Sequence, residues 1–249
     1  MKNILITGAT GFIGRNLIAY LETREGYTLF LYSRTTPDET LKEYIQNADY
    51  IIHLAGVSRP QDPKEFYEGN SGLTEKLVSI LLEEGKSTPI LYTSSIHAII
   101  DNDFGKSKRL AEEHLLTYRE KSGAPVYILR LTNTFGKWAK PNAHSVIATF
   151  CYNISHSLPI HISDPNKEIT LIYIDDVVSS SMNLLMGQSD NESVETAPSY
   201  YTLTRRYTRT LSQIAEYIEQ FKAKGILPEG YQGDPFIEKL YITFLSYLE

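Results

Sequence analysis

Short apolar runs alternate with amphipathic stretches through the first half of the chain. Ile4-Leu5-Ile6, Leu29-Phe30-Leu31, Ile51-Ile52, Ile90-Leu91 and Ile128-Leu129 form the centres of brief runs rich in Ile and Leu. They predict strands at 2–7, 27–32, 50–54, 89–93 and 126–131. Between them apolar residues recur at three- and four-residue intervals, which predicts helices at 12–22, 41–46, 64–84 and 105–122. Apolar strands alternating with helices predict a parallel sheet covered on both faces. Ligands of such sheets sit at the carboxyl ends of the strands, where the strand order reverses.

The pattern loosens after residue 132. Residues 145–157, 175–185, 210–222 and 234–248 read as helices, 160–162 and 168–173 as extended, and 187–200 as a polar loop. The expectation is one domain over 1–249, with a core at 1–132 and a smaller lobe at 133–249 that completes a ligand pocket.

Composition narrows the classes. The chain has 249 residues, 42% of them hydrophobic, enough to bury a core. A net charge of −6 argues against a nucleic-acid binder, which would show a basic face. The single cysteine, Cys151, excludes an intrachain disulfide and a Cys-based metal cluster, and it fits the reducing cytoplasm. The apolar run at 4–6 is too short for a signal peptide or a membrane span. Without secretion, the glycosylation patterns at Asn153 and Asn191 carry no weight. The 18 tyrosines read as ordinary packing at helix and strand periods.

The strongest local signal is Thr7-Gly8-Ala9-Thr10-Gly11-Phe12-Ile13-Gly14, directly after a strand and opening a helix. Gly8 allows a tight turn, Gly11 a close approach of backbone to a pyrophosphate, and Gly14 close packing of helix on strand. The helix N-terminus offers N–H groups and a partial positive charge, with Phe12 and Ile13 in the first turn. Leu54, Ala55 and Gly56, at the end of the third strand, are further candidates for lining a dinucleotide. An NAD site places a carboxylate at the end of the second strand, about 20 residues after the glycines. Here Ser33-Arg34 stands in that place, which favours a 2′-phosphate and hence NADPH over NAD; the plainer reading of Arg34 is a solvated surface residue.

TGATGFIG (7–14), ADYIIHLAG (48–56), YTSS (92–95) and FGKSK (104–108) together resemble the extended short-chain dehydrogenase/reductases. HLAGVSRPQDPKEFYEGN (53–70), RLTNTFGKWAKPN (130–142), HSVIATFCYNI (144–154), ITLIYIDDVV (169–178) and LYITFLSYL (240–248) carry a closer resemblance. It is to the N-terminal reductase domains of the bacterial capsular-polysaccharide enzymes of UDP-N-acetyl-L-fucosamine synthesis. The resemblance implies a Rossmann-type doubly wound α/β sheet with a small C-terminal substrate-binding lobe. It also implies NADPH-dependent reduction at C4 of a UDP-4-keto-6-deoxy-N-acetylhexosamine. In that family a metal-binding cupin domain follows the reductase, and this chain ends at Glu249, where such a domain would begin. A homodimer paired through the helices at 64–84 and 105–122 is expected on the same ground.

The family reduces its ketone with Tyr-x-x-x-Lys on one helix face and a Ser or Thr at the end of the preceding strand. Lys108 matches the lysine, which also holds the nicotinamide ribose. Ser95 matches the hydroxyl, with Ser94 and Thr93 beside it. The tyrosine position is Phe104, which has no proton to give. Loss of a general acid costs about 10²–10⁴ in rate. Phe104 is open to three readings: an engineered Tyr→Phe change; a natural residue, with water, Ser95 or another group taking the role or catalysis lost; or a shifted register. The flanking Lys108 and Ser94-Ser95 speak against the last. For the UDP-sugar substrate the candidates are Ser94, His97, Asn133, Lys140 and Asn142; each also reads as a polar loop residue.

Several decoys fall away. Gly105-Lys106-Ser107 lacks the earlier glycine of a P-loop, since position 100 is isoleucine. The histidines, His53, His97, His114, His144, His156 and His161, show no metal-ligand spacing, and no metal is expected. Asp175 and Asp176 fit a helix N-cap and first turn better than a catalytic pair, and Asp101 and Asp103 are poorly placed for a dehydratase. Two rivals to the reductase remain: an epimerase or dehydratase on the same scaffold, and a non-catalytic dinucleotide-binding protein.

Overall fold

The computed structural model describes residues 1–143, 145–188 and 192–248; His144 and Asn191 lie outside the described residues. Along the chain run β1 (Lys2–Thr7), α1 (Phe12–Glu22), β2 (Tyr27–Tyr32), α2 (Asp38–Asn47), β3 (Tyr50–His53), α3 (Lys64–Phe66), a π-helical turn (Tyr67–Gly72) and α4 (Leu73–Glu83). Then follow β4 (Ile90–Ser95), α5 (Asp103–Ser122), β5 (Val126–Leu131), β6 (Asn133–Phe135), α6 (Val146–Ser155), β7 (Glu168–Tyr173) and α7 (Ile174–Leu185). The chain closes with β8 (Ser193–Ala197), β9 (Tyr200–Leu203), β10 (Tyr207–Thr210), α8 (Leu211–Lys224) and α9 (Pro235–Leu245). Two compact units result: Met1–Leu131 with Val178–Thr204, and Thr132–Val177 with Arg205–Glu249.

The first unit holds a seven-stranded sheet in the order β2-β1-β3-β4-β5-β9-β8. Neighbours from β2 to β9 pair in parallel, and β8 closes the edge antiparallel to β9. Burial follows from the strand sequences. Ile4, Leu5, Ile51, Ile52, Ile90 and Leu91 are fully buried, because helices cover both faces. On one face Leu5, Ile51, Ile90 and Ile128 meet Leu41, Ile45, Leu77, Leu81, Ala111 and Leu115. The buried Tyr118 satisfies its hydroxyl by donating to Thr88 O at 3.0 Å.

The second unit packs α6, α8 and α9 with a three-stranded sheet in the order β10-β7-β6. Phe135 is the aromatic centre, 5.3 Å from the Tyr173 ring and 5.6 Å from that of Phe236. Asp175 and Asp176 fall in the first turn of α7, and buried Asp176 pairs with Lys239 at 2.7 Å and Arg205 at 3.1 Å.

The structure departs from the sequence reading in four places. The helix expected at 64–84 is interrupted by the π turn, because Asn70 turns inward there to bond other segments. The expected loop at 187–200 carries β8 and the start of β9. These strands carry little periodic apolar signal, since β8 is mostly exposed. Their register shifts between Glu195 and Ala197. β6 and β10 are three and four residues long, too short to register as periodic. Residues 160–162 join no sheet.

Gly14 is fixed by packing: a Cβ there would stand 2.4 Å from Gly8 O and 2.8 Å from Ala9 O. Both are backbone atoms of a tight turn and have nowhere to go. Gly14→Ala should lower the unfolding free energy by about 1–3 kcal/mol, read from the shift in urea midpoint at constant slope. An unchanged midpoint would show that the turn yields freely.

Candidate active site

The strand order reverses between β1 and β3, and a cleft of about 470 Å³ opens at their carboxyl ends. Gly8, Thr10, Gly11, Ser33, Arg34 and Leu54 to Val57 line it, with Glu65, Glu68, Gly69 and Leu73 on the opposite wall. Gly8 takes φ +70°, and a Cβ on it would lie 2.7 Å from Ala55 N, so the first turn closes directly on the end of β3. Gly11 caps α1 without any side-chain hydrogen bond. The N–H groups of Phe12 and Ile13 therefore face out of the first turn, as helix geometry leaves them. Gly14 is buried beneath this turn and acts through packing. At the end of β2, Arg34 is exposed on the cleft rim and forms no ion pair among the described residues. The Ser33 hydroxyl is shared with Thr35 at 3.1 Å and Thr36 at 3.4 Å.

A dinucleotide fits this cleft by its own features. The glycine cradle would be filled by any Cβ at Gly8, and the α1 N–H groups carry no side-chain cap. When bound, the reduced nicotinamide would supply a hydride.

The cleft floor is held from beneath by a buried polar network. Asn70, in the π turn, accepts from Val57 N at 2.9 Å and donates to Val57 O at 3.0 Å and Ser107 Oγ at 2.9 Å. Thr74 Oγ1 donates to Asn70 O at 2.6 Å. That direction fixes the next links. His53 Nε2 donates to Thr74 Oγ1 at 2.9 Å, and His53 Nδ1 accepts from Thr7 Oγ1 at 2.6 Å. Thr7 Oγ1 in turn accepts from Ala55 N at 3.2 Å.

Lys108 lies beside this network. Its buried Nζ donates to Tyr92 Oη at 3.0 Å and Thr93 O at 3.1 Å. A Cβ on Gly56 would stand 2.8 Å from Asn70 Oδ1 and 3.3 Å from that nitrogen, so Gly56 packs closely against both side chains. Burial lowers the Lys108 ammonium to about 8, with Glu112 pulling the other way. Burial, then the Lys108 charge, lowers His53 to about 3 and keeps it neutral. Tyr92 is pushed up by burial and by Glu112.

Residues 94 to 104 separate into inward and outward groups. The Ser94 hydroxyl is buried and donates to Glu112 Oε1 at 2.6 Å, an acid also bound to Arg130. Ser95, on the alternate face of β4, is partly open, and its Oγ accepts from His97 N at 3.1 Å. Asn102 caps α5 by accepting from Gly105 N at 2.8 Å. Gly105 is dictated by the turn before it, since a Cβ would stand 2.1 Å from Ile100 O. Phe104 is half-buried in the first turn, its ring 5.6 Å from Phe66 and 6.5 Å from an edge-on His97. Asn133, Lys140 and Asn142 lie in the second unit. Asn133 Nδ2 donates to Thr170 O at 3.2 Å, and Asn142, at φ +54°, donates its N–H to Thr149 Oγ1. Sequence reasoning missed Asn70, Thr74, Tyr92 and the wall residues Glu65 and Glu68. Only the inward turn of the π segment brings the first of these into place, and it leaves no periodic trace.

This is a Rossmann-type fold with a glycine turn at its switch point. The model described as the NAD dependent epimerase/dehydratase family matches residues 4–196, and the chain belongs to that family. It is 44% identical to the UDP-2-acetamido-2,6-beta-L-arabino-hexul-4-ose reductase of Pseudomonas aeruginosa, over 98% of this chain and 64% of that protein. It is similar to the crystal structure of the capsular polysaccharide assembling protein CapF from Staphylococcus aureus. There the identity is 39% and the TM-score 0.86, over 99% of this chain and 65% of that one. The chain thus spans a little under two thirds of the length of these relatives. The Bordetella bronchiseptica enzyme WbmF, solved in complex with NAD+, shares the fold at a TM-score of 0.78 and 18% identity, covering 99% of this chain and 92% of that one.

The buried His53 makes stability depend on pH. Its folded-state pKa, about 3, lies below the ordinary value near 6.5, so the unfolded chain binds the extra proton more readily. The stability this contributes is complete above pH 6.5 and is lost as pH falls toward 3. Between pH 7 and 5 the protein should lose about 2 kcal/mol that His53→Gln does not lose. Urea unfolding of both at the two pH values checks it; a constant gap would refute it.

Proposed function

We propose that the protein is an NADPH-dependent reductase of the C4 ketone of a UDP-4-keto-6-deoxy-N-acetylhexosamine, serving surface-polysaccharide precursor synthesis. One observation carries this reading. The Lys108 ammonium lies directly under Gly56 of the cleft, one helical turn from position 104 and beside the β4 end that bears Ser95. The 44% identity to a UDP-sugar ketone reductase supports the choice of substrate.

In this reading the turn at Gly8 and Gly11 and the N–H groups of Phe12 and Ile13 hold the diphosphate, with Gly14 supporting the turn. Arg34, with Ser33, holds a 2′-phosphate. Leu54, Ala55 and Gly56 line the dinucleotide, and Lys108 holds the nicotinamide ribose. Ser95 donates to the ketone oxygen. For Asn133, Lys140 and Asn142 as sugar-nucleotide contacts, the support is the resemblance of their segments alone. Phe104 also favours a second reading, a dinucleotide-binding protein without turnover, because the tyrosine expected there is missing.

Arg34→Ala should weaken NADPH binding about 10-fold or more, the worth of a charge-assisted hydrogen bond, and leave NADH binding unchanged. Fluorescence titration with both nucleotides checks it, and equal loss for both would remove the case for NADPH. The function itself is tested by NADPH oxidation with the keto sugar generated in place, for the protein and for Phe104→Tyr. Oxidation that is faster in Phe104→Tyr supports the reductase. Tight NADPH binding without turnover in either supports the binding protein.

A further inference from the structure

We infer that His97 is the proton donor of this site, in place of the phenol that position 104 lacks; the inference rests on the reductase reading. Three observations converge on it. The imidazole lies beside the Phe104 ring, their centroids 6.5 Å apart and their planes at 79°. It is exposed, so it regains its proton directly from water. The backbone N–H of residue 97 is donated to Ser95 Oγ at 3.1 Å. That bond fills a lone pair of the hydroxyl and leaves the Ser95 proton free to point at the ketone oxygen. The same turn thus sets both groups around one oxygen atom.

The alternatives are otherwise engaged. Tyr67 donates its hydroxyl to Asp103 Oδ1 at 2.9 Å, and that hydrogen bond is the main cause that raises its pKa and weakens it as an acid. Lys108 is buried and gives two of its three protons to Tyr92 Oη and Thr93 O. The turn bearing His97 is fixed to α5, where Arg109 donates to Ala98 O and to Ile100 O. The charged and titratable groups on the elements packed there are Arg109, Lys106, Asp101 and Asp103, with Tyr67 from the π turn. Asp101 is paired with Lys106 at 3.1 Å and lies 3.9 Å from Arg109.

The step balances. A bound reduced nicotinamide would supply the hydride for the new C–H bond at C4, and the carbonyl π pair would move onto oxygen. The alkoxide then takes the proton from a ring nitrogen of His97, leaving a neutral imidazole, an oxidised nicotinamide and an alcohol.

The protein, His97→Gln, Phe104→Tyr and the double variant would be assayed from pH 5.5 to 9 with the keto sugar. For the unaltered protein kcat should fall toward high pH, as the proton donor is lost. His97→Gln should lose about 10²-fold or more in kcat with little change in KM or in NADPH affinity. Phe104→Tyr in the His97→Gln background should restore turnover and change the pH profile. Independently, the His97 ring resonance in carbon–proton NMR should shift when NADP+ and UDP-N-acetylglucosamine are added together. An unmoved resonance overturns the inference, as does a profile that titrates near 8 and survives in His97→Gln, which would transfer the role to Lys108. If the protein is silent while Phe104→Tyr turns over, the reductase reading stands and the role of His97 is refuted. Silence in both refutes both.

Discussion

One buried amide holds the cleft in shape. Asn70 spends its side chain on Val57 and Ser107, and so ties the segment leaving β3 to the helix that carries Lys108. Its own carbonyl is closed by Thr74. The bond to Ser107 is fully buried and those to Val57 partly so, and a buried partner stranded by loss of the amide would cost about 1–3 kcal/mol. The wide turn at Tyr67–Gly72 is the backbone's means of turning that amide inward, and π turns recur at functional sites for such reasons. Gly56 then fits closely against Asn70 and Lys108, and a side chain there would have to displace the Asn70 amide.

The charges around the cleft follow from that packing. Lys108 is the cation beneath the floor, and its field, added to burial, keeps the neighbouring His53 neutral. Glu112 balances Arg130 on the other side of β4 and takes the Ser94 hydroxyl with it. β4 therefore divides its two serines: one locked into an ion-pair network, the next left partly open at the strand end. A single-residue alternation along one strand decides which hydroxyl is available for chemistry.

The strands β1 to β5, the glycine turn and the helix bearing Lys108 were legible in the sequence. Each is written in local chemistry: paired apolar residues buried on both faces, or glycines where a Cβ would strike backbone. Ser95 was preferred to Ser94 by its place in the pattern, but the contact that engages Ser94 was not legible, since it depends on Glu112, eighteen residues from Ser94 along the chain. Nor was the interruption of the helix at 64–84, because Asn70 looks like any polar helix residue until Val57 and Ser107 are beside it. β8, exposed and at an edge, shows little of the alternation that marks a half-buried strand.

That edge has a further consequence. The last strand of an open sheet presents a row of unpaired backbone groups on which another molecule can be templated. In β8 the shift between Glu195 and Ala197 breaks that row, and Glu195 places a charge within it. The irregularity is thus a guard against aggregation. Removing Thr196 to straighten the ladder would leave a flat, continuous edge beside the exposed Val194, and self-association would follow from a change that leaves the cleft untouched.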